Sequence, residues 1–256
     1  MGSTTILPIA EIAAEDYTAT HPELDVLVSG VGSSAGIEAV AAGTADIGTS
    51  SRDLKDEEKG LGLVDTPIAY DGIAVIVNPS NPVTNLTLEQ LRDIFAGKIT
   101  NWSQVGGKDR PIDLVNRDEA SGTREAFKKL VMEDVKFDRT SAVLPGTGQV
   151  RDVVSRSEGA IGYISLGFVA PRFASRPVKA LNVDGVEPSL ESIASNEYPI
   201  GRRLHFLTKG EPQGAAKDYT DYVLSPEVQN ELVVDAGFIP IADVAGPPAD
   251  DTSAPK

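Results

Sequence analysis

Short apolar runs of strand length alternate along the chain with longer segments in which apolar residues recur at helical spacing. The runs that we predict as strands are "LDVLVSG" (24–30), "ADIGTSS" (45–51), "GIAVIVN" (72–78), "PIDLVNR" (111–117), "AIGYISL" (160–166) and "LHFLTKG" (204–210). Alternation of strands and helices is typical of α/β proteins. The pattern therefore predicts an α/β fold with largely parallel sheets.

The segments with helical spacing lie between these runs. They are "ILPIAEIAAEDYTA" (6–19), "TLEQLRDIFAG" (87–97), "SGTREAFKKLVM" (121–132), "GQVRDVVSRS" (148–157) and "QGAAKDYTDYVLS" (213–225). A last helix is predicted over 226–237, because Ser225 is a favoured N-cap residue, Pro226 suits the first helical position and Gly237 is a typical stop.

Proline-bearing turns near 78–85 and 196–203 predict two domain boundaries. We expect a discontinuous first α/β domain (1–76 plus 203–242), a second α/β domain (77–202) and a disordered tail (243–256), since the tail composition is polar and rich in proline. Two crossings leave a cleft between the domains. Such a cleft is a preferred place for a ligand.

The stretch "GVGSSAGIEAVAAG" (30–43) puts glycines and serines where a strand is predicted to end and a helix to begin. Free backbone N–H groups at a helix N-terminus attract anions. The stretch also fits a loose dinucleotide-binding pattern, with Asp46 or Asp53 as the ribose-binding acid, and a G-x-S-x-G nucleophile elbow centred on Ser34. A plain serine cap is the fourth interpretation.

Other turns repeat the same combination of hydroxyl groups and a helix start. In "LVNRDEASGTREAF", Arg117 ends a strand, and Ser121, Gly122 and Thr123 open a helix. A guanidinium beside such a turn suits an oxyanion, because its planar fork can donate two parallel hydrogen bonds. The alternative is a cap beside a surface arginine. Further candidates are Thr4 and Thr5, Ser50 to Arg52, and Asp71 directly before an apolar strand.

Composition restricts the function. The 256 residues carry a formal net charge of −15, which argues against nucleic acid and anionic membranes as partners. Cysteine is absent, which excludes disulfides, thiol catalysis and cysteine metal sites. The two histidines, His21 and His205, are far apart in the sequence and are interpreted as structural. We therefore expect no metal and no cofactor.

Enzymatic interpretations fit less well. Only 33 residues precede Ser34, which is too few for the strands that come before a nucleophile elbow, and His205 falls in a predicted strand. The dinucleotide interpretation leaves the turns at Thr4 and Arg117 without a role. A phosphatase would need a metal cluster or an activated nucleophile, and neither is visible. We expect no catalytic residues.

Residues 2 to 241 contain a set of motifs in a fixed order: "GSTTILPIAE", "GVGSSAGIEAV", "IGTSSRDLK", "AYDGIAVIVNPSNP", "LTLEQLRDIFAGKITNW", "NRDEASGTREAF", "GAIGYISLG" and "YVLSPEVQ" with "GFIPI". In this order the chain resembles the PstS-like phosphate-binding proteins of bacterial and archaeal ABC importers. The resemblance implies two α/β domains joined by a hinge, a periplasmic-binding-protein-like fold of type II, with phosphate held in the cleft.

The resemblance also implies site residues. By motif these are Thr4, Thr5, Ser33, Ser34, Ser51, Asp71, Arg117, Ser121, Gly122 and Thr123, with Arg52, Thr147 and Gly148 as weaker matches. Some family members have a carboxylate at the position of Ser51 that accepts the ligand's proton, so Asp71 is the expected acceptor in this chain. Arg52 is expected to contact the ligand or to anchor Asp71 or Asp53.

The implied function is the capture of inorganic phosphate for an ABC importer, with a transporter permease as protein partner. The alternative is a binder or sensor of another tetrahedral oxyanion, such as sulfate, molybdate or arsenate. A monomer is expected, located in the periplasm or outside the cell, either free or anchored to the membrane by a segment that this sequence lacks.

Overall fold

The computed structural model describes residues 1–170 and 176–243, so most of the predicted tail lies outside the described residues. The α-helices in these two ranges are α1 (Leu7–Thr20), α2 (Ser33–Ala41), α3 (Leu88–Phe95), α4 (Gly122–Phe127), α5 (Thr147–Arg156), α6 (Leu190–Ala194), α7 (Gly214–Val223) and α8 (Pro226–Val228). Helices α4 and α8 continue into π-helical turns at Lys128–Met132 and Gln229–Val233.

The strands are β1 (Gly48–Ser50), β2 (Leu63–Val77), β3 (Asn85–Leu86), β4 (Asp113–Arg117), β5 (Ala142–Leu144), β6 (Ala160–Ser165), β7 (Lys179–Ala180), β8 (Asn182–Val183), β9 (Gly201–Lys209) and β10 (Ile239–Pro240). The main sheet has the order β1-β9-β2-β6-β4-β5, and β7 and β10 also pair with β2. Strands β3 and β8 form a separate parallel pair.

The prediction of largely parallel sheets is wrong. Strand β9 pairs antiparallel with β1 and β2, and β2 pairs antiparallel with β6, β7 and β10. Parallel pairing occurs between β4 and its neighbours β5 and β6. The alternating pattern identified the elements, but strand direction depends on where the chain crosses between sheets.

The run 24–30 is not a strand, although its apolar pattern predicted one. Gly30 forms an isolated parallel bridge with Gly2, and Gly2 bridges to Thr49 in turn. A strand needs a continuous ladder of backbone hydrogen bonds, which an apolar pattern cannot supply by itself. Leu27 in this run is accordingly 84% exposed.

Strand β2 passes through two separate hydrophobic regions. Its first part pairs with β9 up to Gly72 and Gly201, and its second part, from Ile73, pairs with β6. Ile68 belongs to one core, with Phe206 and α1, whereas Ile73 belongs to another. We call residues 1–71 with 202–243 the first lobe and residues 72–201 the second lobe. The domain boundaries at 76 and 202 stay predictions.

Local signals explain the ends of several helices. The side chain of Ser225 accepts a hydrogen bond from the backbone N–H of Val228, with Pro226 in the first turn, as predicted. Thr87 and Gln90 form a reciprocal capping box at the start of α3. None of the helices in the described ranges combines the length and the apolar character that crossing a bilayer requires.

Candidate functional site

Hydroxyl groups from four helix starts converge where the two lobes meet. Thr4 and Thr5 precede α1, Ser33 is the first residue of α2, Ser121 is the N-cap of α4, and Thr147 is the first residue of α5. We call the following set the central cluster: Thr4, Thr5, Ser33, Ser51, Asp71, Arg117, Ser121, Gly122, Thr123, Thr147 and Arg202. All members are buried except Thr4, which is half-buried.

Members of the central cluster from opposite lobes are in direct contact. The hydroxyl oxygens of Thr4 and Thr147 lie 3.0 Å apart, and those of Thr5 and Thr123 lie 3.2 Å apart. Beside them, the backbone N–H of Ser34 donates to the carbonyl oxygen of Ala120 at 3.2 Å. The lobes are therefore closed around the cluster.

Ser33 does not cap its helix. The N-cap of α2 is Gly32, and no side chain caps this helix. Instead the Ser33 hydroxyl accepts from the backbone N–H of Ser51 at 3.1 Å and lies 3.3 Å from the Ser51 hydroxyl. The interpretation as a plain serine cap is therefore wrong for Ser33, whereas Ser121 does cap α4 by accepting from the backbone N–H of Arg124.

Gly122 lets α4 approach the first lobe closely. A Cβ atom at this position would lie 2.3 Å from the Ser33 hydroxyl oxygen and 2.7 Å from that of Ser51. Real Cβ atoms do not approach other atoms so closely. A Cβ at the first position of α4 would therefore force the Ser33 and Ser51 side chains to shift or the lobes to separate.

Arg117 places a buried guanidinium at the end of β4. The residue is 1% exposed, and its side chain donates to Thr4, Thr147 and the carbonyl oxygens of Leu144 and Pro145. Among the described residues no carboxylate forms an ion pair with it, although the charge of the neighbouring Asp118 attracts it and opposes the lowering of its pKa. Burial lowers the pKa of Arg117 to about 10. The acceptors of its hydrogen bonds are all neutral, so the guanidinium can still pair with a bound anion.

Arg202 is a second buried guanidinium that the sequence analysis did not identify. It lies opposite Asp71 in the register of β9 and β2, and its Nε and Nη2 atoms are 2.9 and 2.6 Å from Asp71 Oδ2. Burial raises the pKa of Asp71 and lowers that of Arg202, and their mutual attraction opposes both shifts. The available signal was the arginine pair in "PIGRR" at a predicted boundary.

The charges of the central cluster do not cancel. Arg117 and Arg202 repel each other, since the charge of Arg202 contributes to lowering the pKa of Arg117. Asp71 balances one of these two cations. The cluster therefore holds one excess positive charge in a protein whose net charge is −15, which favours a buried anion.

Three of the predicted site residues, Ser34, Arg52 and Gly148, lie at the edge of the central cluster or outside it. Arg52 forms a bidentate ion pair with Glu58, at 2.6 and 2.7 Å. Asp71 pairs with Arg202 instead, but Arg52 Nη1 does donate to the backbone carbonyl oxygen of Asp53 at 2.9 Å. Its Nη2 also donates to the Ser34 hydroxyl at 3.2 Å. Gly148 is exposed, and no heavy atom lies within 4 Å of where its Cβ would be.

Both histidines have local partners. His21 stacks on Tyr17. His205, which is buried, has its Nδ1 atom 2.7 Å from Asp65 and its Nε2 atom 3.5 Å from Asp53. Because the ring of His205 faces two aspartates, it does not serve Ser34 as a base, which removes the support for the serine hydrolase interpretation. Among the described residues no group of three or more histidine, aspartate or glutamate side chains could hold a metal.

The His205 site should make stability depend on pH. Burial lowers the pKa of His205, but the contacts with Asp53 and Asp65 outweigh it and raise the pKa above its ordinary value. This contribution to stability is fully present below the ordinary pKa of histidine and is lost as pH rises through the raised one. Thermal unfolding should therefore show that His205→Gln costs more stability at pH 5.5 than at pH 9. A cost that does not change with pH would contradict this prediction.

Most of this chain is similar to proteins of one family. The family model described as a PBP superfamily domain matches residues 1–227. The phosphate-binding protein PstS of Bacillus subtilis (strain 168) is 36% identical over 246 residues, which cover 95% of this chain and 80% of that protein. PstS of Borreliella burgdorferi is 34% identical, covering 94% of this chain and 88% of the relative.

Solved structures agree with these relatives. A crystal structure from Clostridium perfringens, described as a phosphate ABC transporter substrate-binding protein with bound phosphate, matches with a TM-score of 0.88 at 40% identity, covering 94% of this chain and 97% of that one. An ABC-type phosphate transport receptor from Vibrio cholerae matches with a TM-score of 0.77 at 37% identity, covering 93% and 97%. The periplasmic-binding-protein-like fold is thereby confirmed. The chain belongs to the PBP superfamily and, within it, to the family of PstS phosphate-binding proteins.

Proposed function

We propose that this protein captures one inorganic phosphate in the central cluster and presents it, outside the cytoplasm, to the permease of an ABC importer. The observation that carries the proposal is Arg117: a guanidinium that is 1% exposed, donates its hydrogen bonds to hydroxyl and carbonyl oxygens, and forms no ion pair with a carboxylate among the described residues. A buried cation of this kind is stable only with an anion nearby or with its pKa lowered. Phosphate supplies the anion.

The donors around Arg117 suit a tetrahedral oxyanion. We assign Thr4, Thr5, Ser33 and Ser51 to the first-lobe side of the ligand, and Arg117, Ser121, Gly122, Thr123 and Thr147 to the second-lobe side. The helix N-termini beside these groups add backbone N–H donors and favourable dipoles. A ligand held by short bonds to these groups needs no positive protein surface, because distant charges are screened by salt.

The expected affinity follows from the same donors. Hydrogen bonds to charged groups contribute about 1.5 to 3 kcal/mol each, and dehydration and closure of the lobes offset part of the sum. Micromolar or tighter binding is therefore expected. We further propose that the two lobes correspond to the two predicted domains and open about the crossing of β2 and β9 to admit and release the ligand.

We also propose that the protein catalyses no reaction. Its PstS relatives are binding proteins, and the central cluster lacks a histidine or a free carboxylate that could activate a hydroxyl nucleophile. Cofactors and metals have no role in the proposed function, and the protein is expected to act as a monomer.

A calorimetric titration of ligand-free protein tests this proposal. Phosphate should bind with a stoichiometry of one and should raise the melting temperature as its concentration increases, because a ligand of the native state stabilises that state. Sulfate, molybdate and arsenate, titrated under the same conditions, test the alternative oxyanions. Absence of phosphate binding, or tighter binding of sulfate or molybdate than of phosphate, would overturn the assignment.

A further inference from the structure

Arg202 carries a role that none of the relatives' descriptions assigns. We propose that Arg202 is a positioning residue of the phosphate site, which sets the hydroxyl groups of Thr5 and Thr123 to donate to the ligand. In this arrangement Asp71 is the counterion of Arg202, and not the group that accepts the ligand's proton. The inference rests on the proposed function and deepens it.

The guanidinium of Arg202 uses all five of its N–H groups inside the protein. Nε and one Nη2 hydrogen go to Asp71, at 2.9 and 2.6 Å. The Nη1 group donates to the carbonyl oxygen of Ser51 at 3.1 Å and to the Thr123 hydroxyl at 2.8 Å. The other Nη2 hydrogen reaches the Thr5 hydroxyl at 3.2 Å. No donor remains for direct contact with a ligand, so Arg202 acts through its neighbours.

These contacts fix the direction in which two hydroxyl groups donate. A hydroxyl has one hydrogen to donate and two lone pairs that accept, whereas a guanidinium can only donate. The oxygens of Thr5 and Thr123 therefore accept from Arg202, and each keeps its own hydrogen for another partner. The two hydroxyls are 3.2 Å apart, one from each lobe. A bound anion is the better acceptor for both hydrogens, because charge-assisted hydrogen bonds are stronger than neutral ones.

Asp71 is occupied on both sides. Its Oδ2 atom accepts both bonds from Arg202, and its Oδ1 atom accepts from the Ser165 hydroxyl at 2.7 Å. The backbone N–H of Leu166 also stabilises the charged form. The side chain has no exposed surface. A carboxylate held in this way neutralises Arg202 and supports its orientation.

The position of Arg202 also links the site to closure of the lobes. Its partners Thr5, Ser51 and Asp71 belong to the first lobe, and Thr123 belongs to the second. The Thr123 bond is the shortest of the three that Arg202 makes to Thr5, Ser51 and Thr123. The full set of contacts therefore exists only when the lobes are together, which is when both threonines face a common ligand.

The first test separates the two roles of Asp71 by the ratio of phosphate to sulfate affinity. Sulfate has no proton to give at neutral pH, so a carboxylate that accepts the ligand's proton would exclude sulfate, and Asp71→Asn would improve sulfate binding selectively. If Asp71 is the counterion of Arg202, the variant changes both affinities by the same factor. We expect the ratio to stay within about twofold of the wild-type value, since one lost selective hydrogen bond would change it about tenfold.

The second test removes the positioning without changing the charge of the site. The double variant Asp71→Asn/Arg202→Gln replaces the ion pair by two neutral amides, so the net charge of the site stays the same. We expect phosphate affinity to fall about tenfold or more, as when a hydrogen bond to a charged ligand is lost. Arg203→Gln is the matched control, because Arg203 is the neighbouring arginine on β9 and packs over the Tyr70 ring.

A coupling measurement distinguishes positioning from general structural support. Thr5→Val should weaken phosphate binding about tenfold in the wild type but only about twofold in the double variant, where the Thr5 hydroxyl is no longer oriented. An equal cost of Thr5→Val in both backgrounds, or wild-type affinity in the double variant, would overturn the inference. A selective gain of sulfate binding in Asp71→Asn would also overturn it, and that result stands even if the double variant does not fold. Wild-type protein that binds no phosphate would instead refute the proposed function.

Discussion

Arg117→Ala should weaken phosphate binding about a hundredfold or more, because removing one partner of a buried, hydrogen-bonded charge pair costs about 2 to 5 kcal/mol. The ligand-free protein should behave differently. In the absence of the anion, the guanidinium is a buried charge with only neutral acceptors, so its removal should leave the ligand-free melting temperature unchanged or raise it. Calorimetric titration gives the affinity, and thermal unfolding with and without phosphate gives the stabilities.

Two further variants sharpen this measurement. Arg117→Lys should recover only part of the affinity, since an ammonium lacks the planar fork that reaches several acceptors at once. Arg110→Ala is a control from the same lobe, because Arg110 forms an exposed ion pair with Glu158 and lies outside the central cluster. Phosphate affinity of Arg117→Ala within about threefold of the wild type, a difference below 1 kcal/mol, would show that Arg117 is not the main charge partner.

Gly122→Ala should abolish high-affinity binding by a steric route. The new Cβ would lie 2.3 Å from the Ser33 hydroxyl oxygen and 2.9 Å from the Ser33 Cβ atom, in the opposite lobe. The clash is relieved only if the Ser33 and Ser51 side chains turn aside or the lobes separate, and either change takes first-lobe hydroxyls away from the ligand. We expect a loss of about a hundredfold or more, since overpacking and lost hydrogen bonds each contribute on the order of 1 to 3 kcal/mol.

The folded state should tolerate this change, because alanine is a better helix former than glycine at the start of α4. Small-angle scattering should show that phosphate reduces the radius of gyration of the wild type but not of Gly122→Ala. Gly60→Ala is the matched control, since Gly60 is exposed and nothing lies within 4 Å of its Cβ position. Closure of Gly122→Ala on phosphate addition, with wild-type affinity, would mean that Ser33 and Ser51 can move aside.

Much of the fold and of the central cluster could be predicted from local sequence. Helix starts depend on a few consecutive residues, so the residue types there predict them. Examples are the caps at Ser121 and Ser225 and the helix starts beside Thr5, Ser33 and Thr147. The convergence of these turns was expected from the family resemblance and from the number of similar turns. Arg117 could be predicted as a site residue because it comes shortly before the turn at Ser121.

Features that depend on long-range pairing were missed. Arg202 meets Asp71 because β2 and β9 pair across more than a hundred residues of sequence, in a register that shifts once between Pro67 and Ala69. Nothing near either residue indicates that partner. The direction of the strands was wrong for the same reason. Conversely, the apolar pattern of 24–30 predicted a strand that does not form, because a strand also requires a partner strand to pair with.

The antiparallel pairing of β2 and β9 has a consequence for the order in which the chain can fold. Strand β9 lies between β1 and β2 in the sheet of the first lobe, so that sheet lacks its middle strand until residues 201–209 have been synthesised. The second lobe is contiguous, and its strands β4, β5 and β6 are close together in the sequence. Contacts between nearby residues form faster than distant ones. During synthesis on the ribosome, the central part of the chain can therefore assemble first, whereas the sheet that contains β1 cannot form until β9 has been synthesised.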